Sequence, residues 1–180
     1  MTAPARAAFA ESAVLPPPAG LARRLGAALY EALLLTAIEF LVGLVTLPIV
    51  APSAHGSATA LAVPGQAARA FLFVVLVLVG GIYLIHGWTA GRRTLPQKTW
   101  HLRLVDASGG PLSLRSALAR YLAGFIGPLL GLVAYVALQT RGLGAFASLL
   151  TALNFLWALI DRDRLFLHDR VAGTRLVLDR

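Results

Sequence analysis

Two carboxylates, Glu31 and Glu39, stand inside a stretch that is otherwise largely apolar from Leu25 to Val50. A carboxylate in hydrocarbon costs about 2.5–3.5 kcal/mol even on lenient insertion scales, so such a residue reads first as a functional one. At the helical rise of 1.5 Å per residue, Glu31 lies roughly 10 Å beyond Arg24 and Glu39 roughly 12 Å further, so neither pair bridges directly along a helix. Arg24 and Glu31 nevertheless share a face, being nearly two turns apart, whereas Glu39 is turned about 80° away from Glu31.

That shared face is expected to point at other apolar segments, whose ends supply partners: His86, Arg120, and Asp161 with Arg162 and Asp163. A buried ionic cluster follows, and its chemistry is open among three readings. It could fix helix register, as buried polar groups can; it could handle protons or cations through Glu31 and Glu39; or Glu39 could sit solvated at an outer rim, leaving Glu31 alone. The four histidines, His55, His86, His101 and His168, do not form a metal-ligand spacing, and only His168 has an acidic neighbour, Asp169. No metal and no cofactor is expected. No phosphate-binding glycine loop, zincin signature or nucleophile elbow occurs, so an enzyme is not expected.

The elements that must position these groups are set by composition. Of 180 residues, 58% are hydrophobic and 13% charged, with a mean hydropathy of +0.75. A soluble domain would be about a quarter charged. The chain therefore reads as an all-α membrane protein, because strands of a membrane barrel would alternate apolar and polar residues and Phe71–Val79 is apolar throughout. Four segments approach the roughly 20 residues that a crossing requires: 25–50, 69–87, 121–138 and 143–160. The last two flank the polar turn Gln139 to Gly142 and read as a helical hairpin; treating that pair as re-entrant would give three spans. Gly127 and Gly131 form a G-x-x-x-G that permits close helix approach, with Pro128 between them to kink the helix. Trp88, Trp100 and Trp157 read as interfacial anchors.

Orientation follows from Lys and Arg. Residues 51–68 hold no charged side chain, and the third connection holds only Arg141. The loop over 88–120 and the tail over 161–180 are crowded with arginine, and Arg23 and Arg24 precede the first span. Both termini and the middle loop are therefore expected in the cytoplasm, which demands an even number of spans. The formal net charge of +8 fits anionic headgroups beside the spans better than nucleic acid. Residues 1–20, rich in Ala and Pro, read as a disordered tail with no signal-peptide core, and Arg23–Arg24 as a cytoplasmic anchor, not a twin-arginine export signal. There is no cysteine.

The middle loop and the tail share a pattern. Trp100 to Val105 alternates and is followed by the turn residues Asp106 to Pro111, and Thr174 to Leu178 alternates likewise. An isolated strand leaves unpaired backbone, so the two are predicted to pair in a small cytoplasmic β ribbon. Leu112–Arg120 reads as an amphipathic lead-in to the third span, with Ser113 as N-cap.

Three pieces of this sequence resemble the RDD family, small bacterial membrane proteins named for an arginine and two aspartates. RRLGAALYE over 23–31 resembles its opening helix, with Arg24 at the arginine position and Glu31 where an aspartate usually stands. GRRTLPQKTWHLRLVDASGGPLSLRSALARY over 91–121 resembles its loop, with Pro96 where many members carry glycine, and LHDRVAGTRLV over 167–177 resembles its closing segment, with Asp169 as the last aspartate. The resemblance covers nearly everything from Leu21 onward, over 21–180. It implies a multi-pass protein of the bacterial inner membrane. Because some members are linked to sodium/proton antiport, it also implies transport of protons, sodium or a small solute through a charged cluster of Arg24, Glu31 and Asp169. The rival expectation is a non-transporting accessory subunit. The small size favours a homo-oligomer or a membrane-protein partner in either case.

Overall fold

The computed structural model describes residues 17–50 and 64–179. Residues 1–16 of the tail expected over 1–20, and most of the uncharged connection, with His55, lie outside the described residues. Helix α1 spans Leu21–Val50 and α2 spans Gln66–Trp88. Helix α4, Leu114–Ala123, leads into α5, Ile126–Leu138. Three runs, Leu21–Thr46, Gln66–Trp88 and Leu114–Arg141, have 26, 23 and 28 residues and are long and apolar enough to cross a membrane. The chain is thus a mostly helical protein with three candidate membrane-spanning helices and a small antiparallel sheet.

The segment expected as a fourth continuous span, 143–160, is broken instead. It contains a 3-10 turn at Gly144–Ala147, the one-turn helices α6, Ser148–Thr151, and α7, Leu153–Leu156, and a further 3-10 turn at Trp157–Leu159. Ser148 Oγ donates to the Ala145 carbonyl at 2.6 Å and Thr151 Oγ1 to that of Ser148 at 2.5 Å, and such back-bonding bends helices. The arm packs closely on α5. A Cβ at Gly127 would lie 2.8 Å from the Thr151 carbonyl oxygen, and one at Gly131 would lie 2.7 Å from Thr151 Cγ2. The G-x-x-x-G therefore serves packing inside one chain.

Between α4 and α5 the helix is interrupted. Pro128 has no N–H to offer the carbonyl of Gly124, four residues back, and an unsatisfied carbonyl in an apolar setting costs several kcal/mol. Asn154 in α7 fills the vacancy, donating Nδ2–H to the Gly124 carbonyl at 2.7 Å while itself 4% exposed. The kink expected at Pro128 is thus a stitch between α5 and the arm. The amphipathic lead-in is α4, capped as anticipated: the Ser116 amide donates to Ser113 Oγ at 3.1 Å.

Strand β1, Leu102–Asp106, pairs antiparallel with β2, Thr174–Leu178, in the register Leu102 opposite Leu178 through Asp106 opposite Thr174. The turn after β1 is closed by Asp106 Oδ1, which accepts from the amides of Ser108 at 2.8 Å and Gly110 at 2.9 Å and from Ser108 Oγ. These bonds, that from the Ser108 side chain foremost, hold the Asp106 carboxyl below its usual range. Asp179 receives Arg93 and, at 2.6 Å, Arg103. The Ala19 amide donates to the Leu176 carbonyl at 2.8 Å, and Ala19 is buried. Residues 17–20 therefore belong to the folded unit and not to the tail expected over 1–20. Two short helices complete the polar end, α3 at Leu95–Thr99 and α8 at Leu167–Ala172. Pro96 sits in the first turn of α3, where its missing N–H is not needed.

Asn154→Leu is expected to destabilise the protein by about 1–3 kcal/mol, the cost of an orphaned buried carbonyl, in detergent unfolding. The same substitution should cost clearly less in a Pro128→Ala background, where the new amide at 128 can donate to Gly124.

Candidate functional site

The first turn of α1 places Arg24 where it is only 1% exposed. Its Nε donates to the Ala19 carbonyl at 2.8 Å and its Nη2 to the Arg164 carbonyl at 2.6 Å, and its guanidinium carbon stands 4.9 Å from the Phe166 ring centroid. Nη1 is buried without a partner. Arg24 so ties the entry of α1 to the segment that precedes α8. Among the described residues no carboxylate lies within ion-pair distance of it.

Asp169, expected beside Arg24, pairs with Arg120 instead. The reason is topological: α8 packs on α4, and Arg120 projects from the last turn of α4. Asp169 is 0% exposed and Arg120 5%. Thr174 Oγ1 at the start of β2 receives Arg120 Nη1–H at 2.9 Å and donates to Asp169 Oδ1 at 3.3 Å. The guanidinium carbon of Arg120 lies 5.0 Å from the ring centroid of Trp88, a cation–π contact. Trp88 is therefore buried under a cation and is no interfacial anchor. Among the described residues, Arg120 Nε and Asp169 Oδ2 have no partners.

Glu31 is half-buried, one face along α1 from Arg24. Its Oε2 accepts from Thr94 Oγ1 at 2.7 Å, while its Oε1 is buried with no hydrogen bond among the described residues, the unpartnered Tyr83 hydroxyl lying beside the carboxylate. Thr94 reaches it because α2 has no side chain at Gly87, where a Cβ would stand 2.5 Å from Thr94 Cγ2. Thr94 is itself fixed by α3: its amide donates to Gln97 Oε1 at 3.0 Å.

Arg24, Glu31, Arg120, Gln97 and His168 all line one cavity of about 480 Å³, whose remaining wall is mostly apolar. His168 stacks near Phe166 and Phe155, with centroids 5.6 and 6.1 Å apart. Burial, and secondarily the nearby Arg120, hold its pKa well below 6.5.

The other expected members lie elsewhere. Glu39 packs at Gly80 of α2, 3.2 Å from where a Cβ would be, and does not line the cavity. His86 faces a second cavity with Arg92 and Tyr121. Asp161 closes the turn after the arm, its Oδ2 accepting the amides of Asp163 at 3.1 Å and Leu165 at 3.0 Å. Among the described residues no group of three or more acidic or histidine side chains could hold a metal ion.

Thr94, Gln97, Thr174 and Trp88 escaped sequence reasoning. Thr94 and Gln97 carried a usable signal, since T-x-x-Q announces a capped helix start. Thr174 and Trp88 carried none, because only the docking of β2 and α2 on α4 makes them neighbours of Arg120.

Removing one partner of a buried ion pair strands the other charge, so Asp169→Ala should cost about 3–5 kcal/mol. Equilibrium unfolding in mild detergent measures this loss. Stability should also fall with acid. The unfolded His168 takes up a proton near pH 6.5 and the folded one only well below, so the unfolded state binds more protons as pH drops through 6.5. His168→Gln should flatten that decline in unfolding midpoints recorded between pH 7.5 and 5.

No curated protein and no solved structure matches the chain. A family model described as the RDD family matches residues 18–173.

Proposed function

The chain belongs to the RDD family, and we propose that it moves an ion or a small solute across a bacterial inner membrane through the cavity bounded by Arg24, Glu31 and Arg120. The observation that carries this reading is that the charged side chains drawn from separate elements converge on a single cavity between apolar helices, and that Arg24, Glu31 and Arg120 there keep buried polar atoms unmatched. A purely structural cluster is under pressure to satisfy every buried donor and acceptor. A cluster that exchanges partners with a passing ion or solute has to leave some free. Glu31 is the group assigned to take and release the cargo, Arg24 and Arg120 set the local charge, and Asp169 holds Arg120 in place.

In this reading the segmented arm over 144–159 completes a fourth pass, which keeps both ends of the chain on the arginine-rich cytoplasmic side. The absence of cysteine from the sequence makes single introduced cysteines a clean probe of that topology. A second reading, an accessory subunit of a larger membrane assembly, draws support from α1, whose Leu33, Phe40, Leu41, Leu44 and Val45 are all exposed. A stoichiometric partner that co-purifies with a flux-inactive protein would favour it.

Protein reconstituted in vesicles is expected to carry sodium or protons, and Glu31→Gln to lower the flux at least tenfold with the fold intact. Flux unaltered by that substitution removes Glu31 from the mechanism.

A further inference from the structure

The cavity wall poses a matching problem that defines its occupant. Arg24 and Arg120 are 1% and 5% exposed, and among the described residues each keeps one guanidinium nitrogen without an acceptor, Nη1 and Nε respectively. Glu31 keeps Oε1 without a hydrogen bond among the described residues, with the unpartnered Tyr83 hydroxyl lying beside the carboxylate. Each unmatched buried group costs about 1–3 kcal/mol. The formal charges of the two arginines are offset by those of Glu31 and Asp169, and His168 is held neutral. With its charges so balanced, the wall takes a lone ion only in exchange for another, whereas a ligand carrying both signs enters without one. The apolar wall of Leu35, Leu84, Phe125, Pro128 and Phe155 accepts hydrocarbon. A volume of about 480 Å³ lies within the range of about 300–1,000 Å³ typical of small-ligand sites.

We propose that this cavity binds a zwitterionic amphipath: its carboxylate or phosphate oxygens meet Arg24 and Arg120, its protonated primary amine donates to Glu31, and its apolar part lies against Leu35, Phe125 and Phe155. The inference rests on the reading of this cavity as the functional site and does not need transport. It specifies the amine. A quaternary ammonium carries the same charge but has no N–H, so it leaves the Glu31 oxygen unmatched. The same head chemistry is offered by an ethanolamine phospholipid and by a free apolar amino acid.

Full-length protein in phosphatidylcholine nanodiscs is titrated calorimetrically with lauroyl lysophosphatidylethanolamine, with its lysophosphatidylcholine counterpart, with phenylalanine and with N,N,N-trimethylphenylalanine. The primary-amine member of at least one pair is expected to bind at least tenfold more tightly, and which pair shows it identifies a lipid or a free solute as the source. Glu31→Gln should erase the preference, and Arg24→Lys should weaken binding of the preferred member at least tenfold. Should Arg24→Lys fail to fold, the loss of preference in Glu31→Gln decides. Equal affinity within both pairs, a preference that survives Glu31→Gln, or no binding by any of the four overturns the inference. Glu31-dependent ion flux without amine selectivity overturns it while leaving the transport reading intact; selective binding without flux does the reverse.

Discussion

A guanidinium withdrawn from water is tolerable only where a carboxylate and additional hydrogen bonds replace the solvent, and the pairing of Arg120 with Asp169 is where this protein meets that condition. The pair fixes more than two side chains. Arg120 belongs to α4, Asp169 to α8, and the Thr174 hydroxyl that bridges them opens β2. The β ribbon, the short helix before it and the entry into the apolar segment are thereby held to one point. Trp88 closes the remaining face of the guanidinium and adds α2 to the assembly. Arg24 performs a comparable service with carbonyl groups in place of a carboxylate, joining α1 to the segment before α8.

Away from this end, the apolar helices obey a different rule. Every backbone polar group within hydrocarbon needs an internal partner, and the interruption between α4 and α5 shows how the chain complies. Pro128 removes the donor that Gly124 would have used, and the Asn154 side chain replaces it across the gap. The arm over 144–159 is free to be irregular because it lies against two glycines of α5. Small residues on one element and tolerance of broken geometry on the other are two aspects of one close contact.

The sequence was most informative where local chemistry decides structure. The apolar runs marked the long helices, the alternation at Leu102 and Thr174 marked the ribbon, and Ser113 marked the start of α4, since each signal is contained within a few residues. The partner of Arg24 is not legible in the sequence because pairing is a property of docking: helical spacing shows that Arg24 and Glu31 share a face, but it does not show that α8 lies on α4. The same limit hid Thr94, whose hydroxyl reaches Glu31 only because Gly87 leaves the room. The continuous helix expected over 143–160 failed for another reason, since composition reports apolarity and length but not the carbonyl-seeking hydroxyls of Ser148 and Thr151.

The bond from Arg120 to Thr174 joins residues 54 positions apart, and this separation bears on biogenesis. Synthesis delivers the cation first, and the α5 segment and the arm follow it before the anion that neutralises it exists. Until α8 arrives with Asp169, α4 carries an uncompensated positive charge at the head of an apolar helix, and that end is costly to bury. Docking of α8 then supplies the missing charge, so the counter-ion that braces the finished fold is also the later half of the pair to be made.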